Sequence, residues 1–81
     1  QALEGKRGKD YKTLLQEFVQ RDGDKHIVYS LISESGPDHA KTFMMEVSID
    51  GITYEAGTGK SKKIAEQHAA QLTLERLMAA I

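Results

Sequence analysis

The stretch KTFMMEVSIDGITYEA, residues 41–56, determines the fold of this 81-residue chain. Apolar side chains recur at every second position on both sides of Asp50-Gly51, which is typical of strands with one buried face. Asp-Gly is a strong hairpin signal, because glycine tolerates the positive φ of a tight turn. We therefore predict an antiparallel strand pair whose inward side chains are Phe43, Met45, Val47, Ile49, Ile52, Tyr54 and Ala56.

A further strand is predicted before this hairpin. Residues 26–35 alternate Ile27, Tyr29 and Leu31 with polar positions, although Val28 and Ile32 blur the period. The next five residues, GPDHA at 36–40, are a loop by composition. We expect the three strands to form an antiparallel meander with one buried face.

The first of two helices is predicted ahead of the strands. Apolar residues recur at i, i+3, i+4, i+7 and i+8 from Tyr11 to Val19, and Asp10 is a good N-cap. The helix should run to about Gln20, and Gly23 can take the left-handed conformation that closes it.

The second helix is predicted over residues 62–79. Gly57-Thr58-Gly59 breaks the strand pattern, and Ser61 is an N-cap candidate. Small alanines allow the first half of this helix to lie close to the sheet. Its inward candidates are Ala65, Ala69, Ala70, Leu72, Leu74, Leu77 and Met78.

These elements predict an α+β fold of order α-β-β-β-α, a three-stranded antiparallel sheet with two helices packed on one face. Residues 10–81 form this domain. Residues 1–9, QALEGKRGK, contain two glycines and three basic residues and are expected to be a flexible basic linker.

Composition limits the functions open to the domain. Eleven basic against twelve acidic residues give a net charge of -1, so a polyanionic partner would need locally concentrated positive charge. The absence of cysteine excludes disulfides, thiolate catalysis and cysteine-ligated zinc. Since no membrane-spanning run and no leader follows Gln1, we expect a cytoplasmic piece of a longer chain.

The locally concentrated charge is GKSKK, residues 59–63, at the predicted start of the second helix. A helix N-terminus carries a partial positive charge and unpaired N–H groups, so lysines there oppose the electrostatics of the helix. A bound anion would remove that cost, although most lysine clusters are solvated surface runs. A nucleotide-binding P-loop needs glycine where this chain has Tyr54, so a polynucleotide backbone is the better candidate.

The aromatic residues favour a duplex over a single strand. They are Tyr11, Phe18, Tyr29, Phe43 and Tyr54, and all fall at inward positions or element starts. We therefore expect no open aromatic platform on which unpaired bases would stack. A duplex, whose bases are already stacked, suits such a surface better.

Three stretches carry a family resemblance: DYKTLLQE at 10–17, GPDHAKTF at 36–43, and GTGKSKK at 57–63 followed by alanines. Together they resemble the double-stranded RNA-binding domain, most closely the version at the C-terminus of bacterial ribonuclease III. The resemblance covers nearly everything after residue 9, with the motifs in the same order and spacing.

The resemblance implies three contact regions for double-stranded RNA. The first helix would enter one minor groove, the loop between the first two strands would enter the next, and the lysines would hold phosphates across the major groove between them. A domain of this kind covers about 16 base pairs and recognises shape more than sequence. The implied residues are Thr13, Gln16, Glu17, Pro37, Asp38, His39, Lys60, Ser61, Lys62 and Lys63.

Catalysis and metal binding are not expected within the fragment. The pairs Asp38 with His39 and Glu66 with His68 need a pocket that so small a sheet does not offer, and the histidines lack metal-ligand spacing. The resemblance implies that the parent chain is a homodimeric, Mg²⁺-dependent endoribonuclease that cleaves double-stranded RNA. The domain, with no cofactor of its own and a monomer when alone, would supply affinity and positioning.

One departure from the family and two alternatives belong beside this interpretation. Many members carry lysine where this chain has Glu66, so we expect modest affinity. The first alternative is a protein-interaction or dimerisation module, because some members have lost their RNA contacts. The second is a small enzyme that acts on a phosphate ligand or nucleotide.

Overall fold

The computed structural model describes residues 10–80, so the predicted linker at residues 1–9 lies outside the described part. The α-β-β-β-α order and the α+β class are confirmed. One-turn 3-10 helices follow the first helix, at Gln20–Asp22, and occupy the loop after the first strand, at Asp38–Ala40. The main elements are α1 Tyr11–Val19, β1 Ile27–Ser35, β2 Thr42–Ile49, β3 Ile52–Gly59 and α2 Lys62–Ala79.

The central hairpin forms as its sequence predicts. The sheet order is β1-β2-β3 with both pairs antiparallel, and Ile49 lies opposite Ile52. Between them Asp50 has φ 52° and Gly51 has φ 83°, the two positive values that a primed two-residue turn requires. On β2, Met45, Val47 and Ile49 are buried, which confirms the predicted inward face.

The third strand departs from the prediction because it contains one extra residue. Ser48 pairs with Thr53 but Glu46 pairs with Ala56, so two residues of β3 stand opposite Val47. The period of two therefore shifts by one position beyond the bulge. The prediction that Ala56 faces inward was wrong, since Ala56 lies opposite the outward Glu46.

The bulge also explains the glycines that follow it. The prediction that residues 57–59 end the strand was wrong, because β3 continues through Gly59. Gly57, opposite the inward Met45, is buried beneath α2. A Cβ on Gly57 would stand 2.6 Å from the carbonyl carbon of His68, and one on Gly59 would stand 2.7 Å from the amide nitrogen of Ala65. Glycine is therefore required for β3 and α2 to touch backbone to backbone.

A buried threonine supplies a partner for the bulge. The backbone N–H of Glu55 donates to Oγ1 of Thr73 on α2 at 3.2 Å. Thr73 is fully buried and was not among the predicted inward residues. Its hydroxyl accepts from an amide at the bulge, where the strand pairing is locally interrupted.

Both helices cover the same face of the sheet. Ala65, Ala69 and Ala70 are fully buried, as predicted, and Ala70 is part of the main core. Two of the predicted inward residues are exposed instead: Ile52 on β3 is 59% exposed, and Met78 on α2 is 55% exposed in a groove between the helices that nothing within residues 10–80 covers. The core cluster consists of Leu15, Val47, Ile49, Ala70 and Leu74.

Two smaller features correct or explain the sequence pattern. Gly23 has φ 128° and ψ 174°, a glycine-favouring conformation but not the left-handed helical one that was predicted. In β1 the register shifts between Leu31 and Ser33, which leaves Ile32 as a bulge and accounts for its blurred period. Within the described residues, neither α1 nor α2 is long and apolar enough to cross a membrane.

Candidate nucleic-acid interface

The strand register brings two of the three predicted contact regions to one end of the sheet. Glu34, near the end of β1, lies opposite Phe43, and Phe43 lies opposite Gly59. Neighbouring strands are about 4.8 Å apart, so the base of the loop at 36–41 and the entry to α2 are about 10 Å apart. The loop and the lysines therefore lie at the same end of the sheet.

Polar contacts hold the third region, the start of α1, against the second turn of α2. The side-chain amide of Gln67 donates to Asp10 Oδ1 at 2.9 Å, while its oxygen accepts from the backbone N–H of Tyr11 at 2.7 Å. Lys12 adds an ion pair with Glu66 at 2.6 Å. All three predicted regions consequently lie around the first two turns of α2.

The lysine region has the geometry that the sequence predicts. Ser61 caps α2, its hydroxyl oxygen accepting from the backbone N–H of Ile64 at 3.1 Å. No acidic residue lies in the first turn, so the partial positive charge of the helix is not offset there. Lys60, Lys62 and Lys63 are exposed, and none joins an ion pair formed within residues 10–80. Backbone dipole and ammonium groups therefore present the same sign of charge to solvent.

The face of α1 offers neutral and acidic polar groups. Thr13, Gln16 and Glu17 are all exposed. The Thr13 hydroxyl donates to Asp10 Oδ2 at 2.8 Å, which leaves its oxygen able to accept from a hydroxyl group. Hydrogen bonds from Gln67 and then from Thr13 lower the pKa of Asp10 to about 2. The carboxylate that caps α1 is therefore ionised at all ordinary pH values.

Lys12 lies beside the predicted α1 residues and was not among the residues that the sequence singled out. Its ammonium group lies 4.8 Å from the centre of the Tyr29 ring and is paired with Glu66, yet the side chain stays 38% exposed. Burial, followed by the charges of Glu66 and Asp10, raises the pKa of Tyr29 to about 12. No local pattern signals this cluster, because Lys12 and Glu66 are 54 positions apart.

A shallow groove between α1 and β1 lies beside Lys12 and Tyr29. Within the described residues the groove is lined by basic, amide and aromatic side chains without a carboxylate. The buried Tyr29 hydroxyl faces no hydrogen-bond partner among those residues. Lining residues are Lys12, Gln16, Gln20, Lys25, His26, Ile27 and Tyr29.

The loop after β1 is compact and specifically shaped. The Ala40 N–H donates to the Pro37 carbonyl at 2.9 Å. Gly36 has φ 92°, and a Cβ there would stand 2.6 Å from the Ala40 carbonyl oxygen. This conformation leaves Pro37, Asp38 and His39 exposed at the end of the sheet where the lysines also lie.

The two histidine–carboxylate pairs noted in the sequence are not brought together as catalytic pairs. His68 uses Nδ1 to accept from the Thr58 backbone N–H at 3.0 Å, while Glu66 is paired with Lys12. His39 is exposed in the loop. Among the residues that the structure describes, no three histidine, aspartate or glutamate side chains converge as metal ligands would.

Comparison with known proteins gives one family and several relatives. The family model that matches residues 11–77 is described as "Double-stranded RNA binding motif". A protein named Ribonuclease 3 from Streptococcus thermophilus is 56% identical over 68 residues, which cover 84% of this chain and 30% of the relative. Proteins of the same name from Streptococcus gordonii and Streptococcus pyogenes serotype M1 are each 54% identical, over 83% and 88% of this chain and 29% and 31% of the relatives.

Proposed function

The chain belongs to the double-stranded RNA binding motif family, and on that premise we propose that residues 10–81 bind double-stranded RNA by its shape. In this proposal Thr13, Gln16 and Glu17 contact 2′-hydroxyls and base edges in one minor groove. The loop residues Pro37, Asp38 and His39 enter the next minor groove. Lysines at the start of α2 hold phosphates between the two.

One observation carries the proposal: Lys60, Lys62 and Lys63 surround a helix start that has no acidic residue in its first turn. They join no ion pair within residues 10–80, whereas Lys12, Lys41 and Arg76 each pair with a carboxylate. Phosphate groups would neutralise both the lysines and the exposed N–H groups of the helix. Ser61, whose oxygen caps the helix, can still donate its hydroxyl proton to a phosphate.

The placement of the aromatic residues supports a duplex as the partner. All five aromatic side chains are partly buried, and Tyr11, Phe18, Tyr29 and Tyr54 pack against the core. The outer face of the sheet therefore offers no aromatic surface for unpaired bases. Contacts to 2′-hydroxyls would in addition favour RNA over DNA.

Competition binding tests this function directly. A labelled RNA duplex of about 16 base pairs, the span of one such domain, is bound by the chain and challenged with unlabelled competitors. We expect duplex RNA to displace the label at concentrations at least about tenfold lower than duplex DNA or either single strand. Equal competition by duplex DNA would contradict recognition through 2′-hydroxyl groups.

The whole protein from which this chain comes is a separate part of the proposal. The chain spans about 30% of the length of the relatives named Ribonuclease 3. We infer that it is the substrate-binding part of a cytoplasmic, homodimeric endoribonuclease whose catalytic part uses Mg²⁺ to process structured RNA. Cleavage of duplex RNA by the full-length protein, with and without Mg²⁺, tests that inference.

A second candidate function rests on the apolar groove between the helices. Leu14 and Met78 line it and are 39% and 55% exposed, beside Phe18 and Leu74. Such a surface is compatible with a protein-interaction or dimerisation module. Sedimentation of the chain with and without duplex RNA separates the two functions: a monomer that becomes a defined complex only with RNA supports RNA binding.

A further inference from the structure

The β1–β2 loop is closed at its base by an exposed ion pair. Lys41 Nζ lies 2.8 Å from Glu34 Oε1, so the pair spans the loop from the end of β1 to the residue before β2. Gly36 and the Ala40–Pro37 hydrogen bond fix the turn inside this closure. Changes at the base of the loop would therefore move its exposed tip as a unit.

Glu34 also lies near the start of α2. The hydrogen bond from Lys41 is the main cause that lowers the pKa of Glu34, and the charge of Lys62 contributes as well. The register agrees with this proximity, because Glu34, Phe43 and Gly59 lie in adjacent positions across the three strands. One carboxylate thus pairs with the cation at the base of the loop and belongs to a strand position that lies near the start of α2.

We propose that Glu34 is a positioning residue of the duplex-binding surface. Through Lys41 it sets the position of loop 36–40 relative to the lysines of α2, so that one rigid duplex can meet both regions at once. The inference rests on the proposed function, since it concerns how the two regions are aligned for RNA. A carboxylate beside Lys62 could instead compete with a phosphate, and that arrangement predicts the opposite effect on affinity.

The experiment compares Glu34→Gln with the matched control Glu55→Gln. Each variant removes one negative charge and one exposed ion pair, but the Glu55 pair is with Arg76, 14 residues beyond Lys62 along α2. At about 1.5 Å of rise per residue, that is roughly 21 Å from the lysine end. The two variants therefore change the net charge of the chain equally, while only Glu34→Gln changes the charge near the start of α2.

Two duplex lengths separate loop positioning from general damage. On RNA of about 16 base pairs, which reaches both minor grooves, Glu34→Gln should bind about threefold more weakly than Glu55→Gln. On a duplex of roughly 8 base pairs, which cannot reach the loop and α1 together, the two variants should bind equally. Weakening on both lengths would show merely structural damage and overturn the proposal.

A double-mutant cycle tests whether Glu34 acts through Lys41. If it does, Lys41→Gln alone should weaken binding to the longer duplex about threefold, and the double variant should also weaken it about threefold. Two independent effects would instead multiply to about ninefold in the double variant. Independent, multiplying losses would overturn the proposal, as would a Glu34→Gln variant that binds as well as or better than Glu55→Gln. If the wild-type chain itself does not bind duplex RNA, it is the proposed function that fails.

Discussion

The charged side chains at the two ends of α2 differ in whether they form ion pairs within the domain. At the first end, Lys62 and Lys63 are exposed and join no ion pair within residues 10–80. Near the other end, Arg76 pairs with Glu55 at 3.1 Å and lies 5.2 Å from the centre of the Tyr54 ring. The cation at the far end has a carboxylate partner within the domain, while those at the near end have none within residues 10–80.

The packing beneath the two ends differs as well. The near end rests directly on the backbone of Gly57 and Gly59. The far end is held by the side chains of Thr73 and Leu74, one hydrogen-bonded to the β3 bulge and the other part of the core. The closest and least adjustable contact thus lies under the unpaired charges, and it would hold them in a fixed place for the proposed phosphate contacts.

The largest expected effect comes from a variant that removes the positive charge at the start of α2. Lys62→Glu together with Lys63→Glu should reduce binding to duplex RNA by at least about 100-fold, because two phosphate contacts become repulsions. The log–log slope of affinity against salt, expected at about -2 to -3 for three contacts, should shrink accordingly. A gel-shift titration measures the affinity, and circular dichroism checks the fold.

The control for this double variant is Arg76→Glu at the far end. It should change affinity by less than about threefold, because it alters long-range charge but no phosphate contact. Equal losses from the two ends, or unchanged affinity in the lysine variant, would contradict a localised phosphate site.

The next largest effect comes from a variant that disturbs the close packing of β3 against the start of α2. Gly57→Ala should lower the free energy of unfolding by about 2–3 kcal/mol, because the added methyl group meets the backbone of α2. Thr58→Ala, at the exposed neighbouring position, should stay within about 0.5 kcal/mol of wild type. Urea unfolding measures both, and equal stability of the two variants would refute the close approach.

A smaller effect is expected from loss of the hydrogen bond between Thr73 on α2 and the bulge of β3. Thr73→Val keeps the shape but removes the acceptor for the Glu55 N–H, which should cost about 1–2 kcal/mol of unfolding free energy. Affinity for RNA should hardly change, since Thr73 is fully buried and away from the lysines. A Thr73→Val variant as stable as the wild type, in thermal or urea unfolding, would argue against this hydrogen bond.

The smallest effect concerns the contact of α1 with the near end. Because the pKa of Asp10 is lowered from 3.8 to about 2, its ionised form contributes stability that is present above pH 4 and lost as the pH falls toward 2. Asp10→Asn retains an N-cap residue but not this titration. The stability difference between wild type and variant should therefore shrink from pH 5 to pH 2 in urea unfolding. A constant difference would contradict the role of the carboxylate.

Much of the fold could be predicted because its signals are local. The turn at Asp50-Gly51, the cap at Ser61 and the buried alanines of α2 follow from neighbouring residues and are confirmed. The β3 bulge and the burial of Thr73 could not be predicted in this way. Each depends on contact between β3 and α2, which no short stretch of sequence contains.

In the candidate site, too, local features could be predicted from the sequence and contacts between distant residues could not. The lysines were found from their unusual place at a helix start, and the structure leaves them exposed. Their contact with RNA stays a prediction, as do the roles of the α1 and loop residues. The pair of Lys12 with Glu66 was missed because it joins two helices, and only their packing makes it visible.

The glycine contact under α2 bears on how the domain would treat imperfect helices of RNA. No intervening layer of side chains separates Gly57 and Gly59 from the helix above them, so that end of α2 has little room to tilt or slide. A mismatch or an extruded nucleotide changes the distance between phosphates on opposite strands. Accommodation must then come from the RNA or from the loop closed by Glu34 and Lys41, and we expect regular duplexes to be preferred over distorted ones.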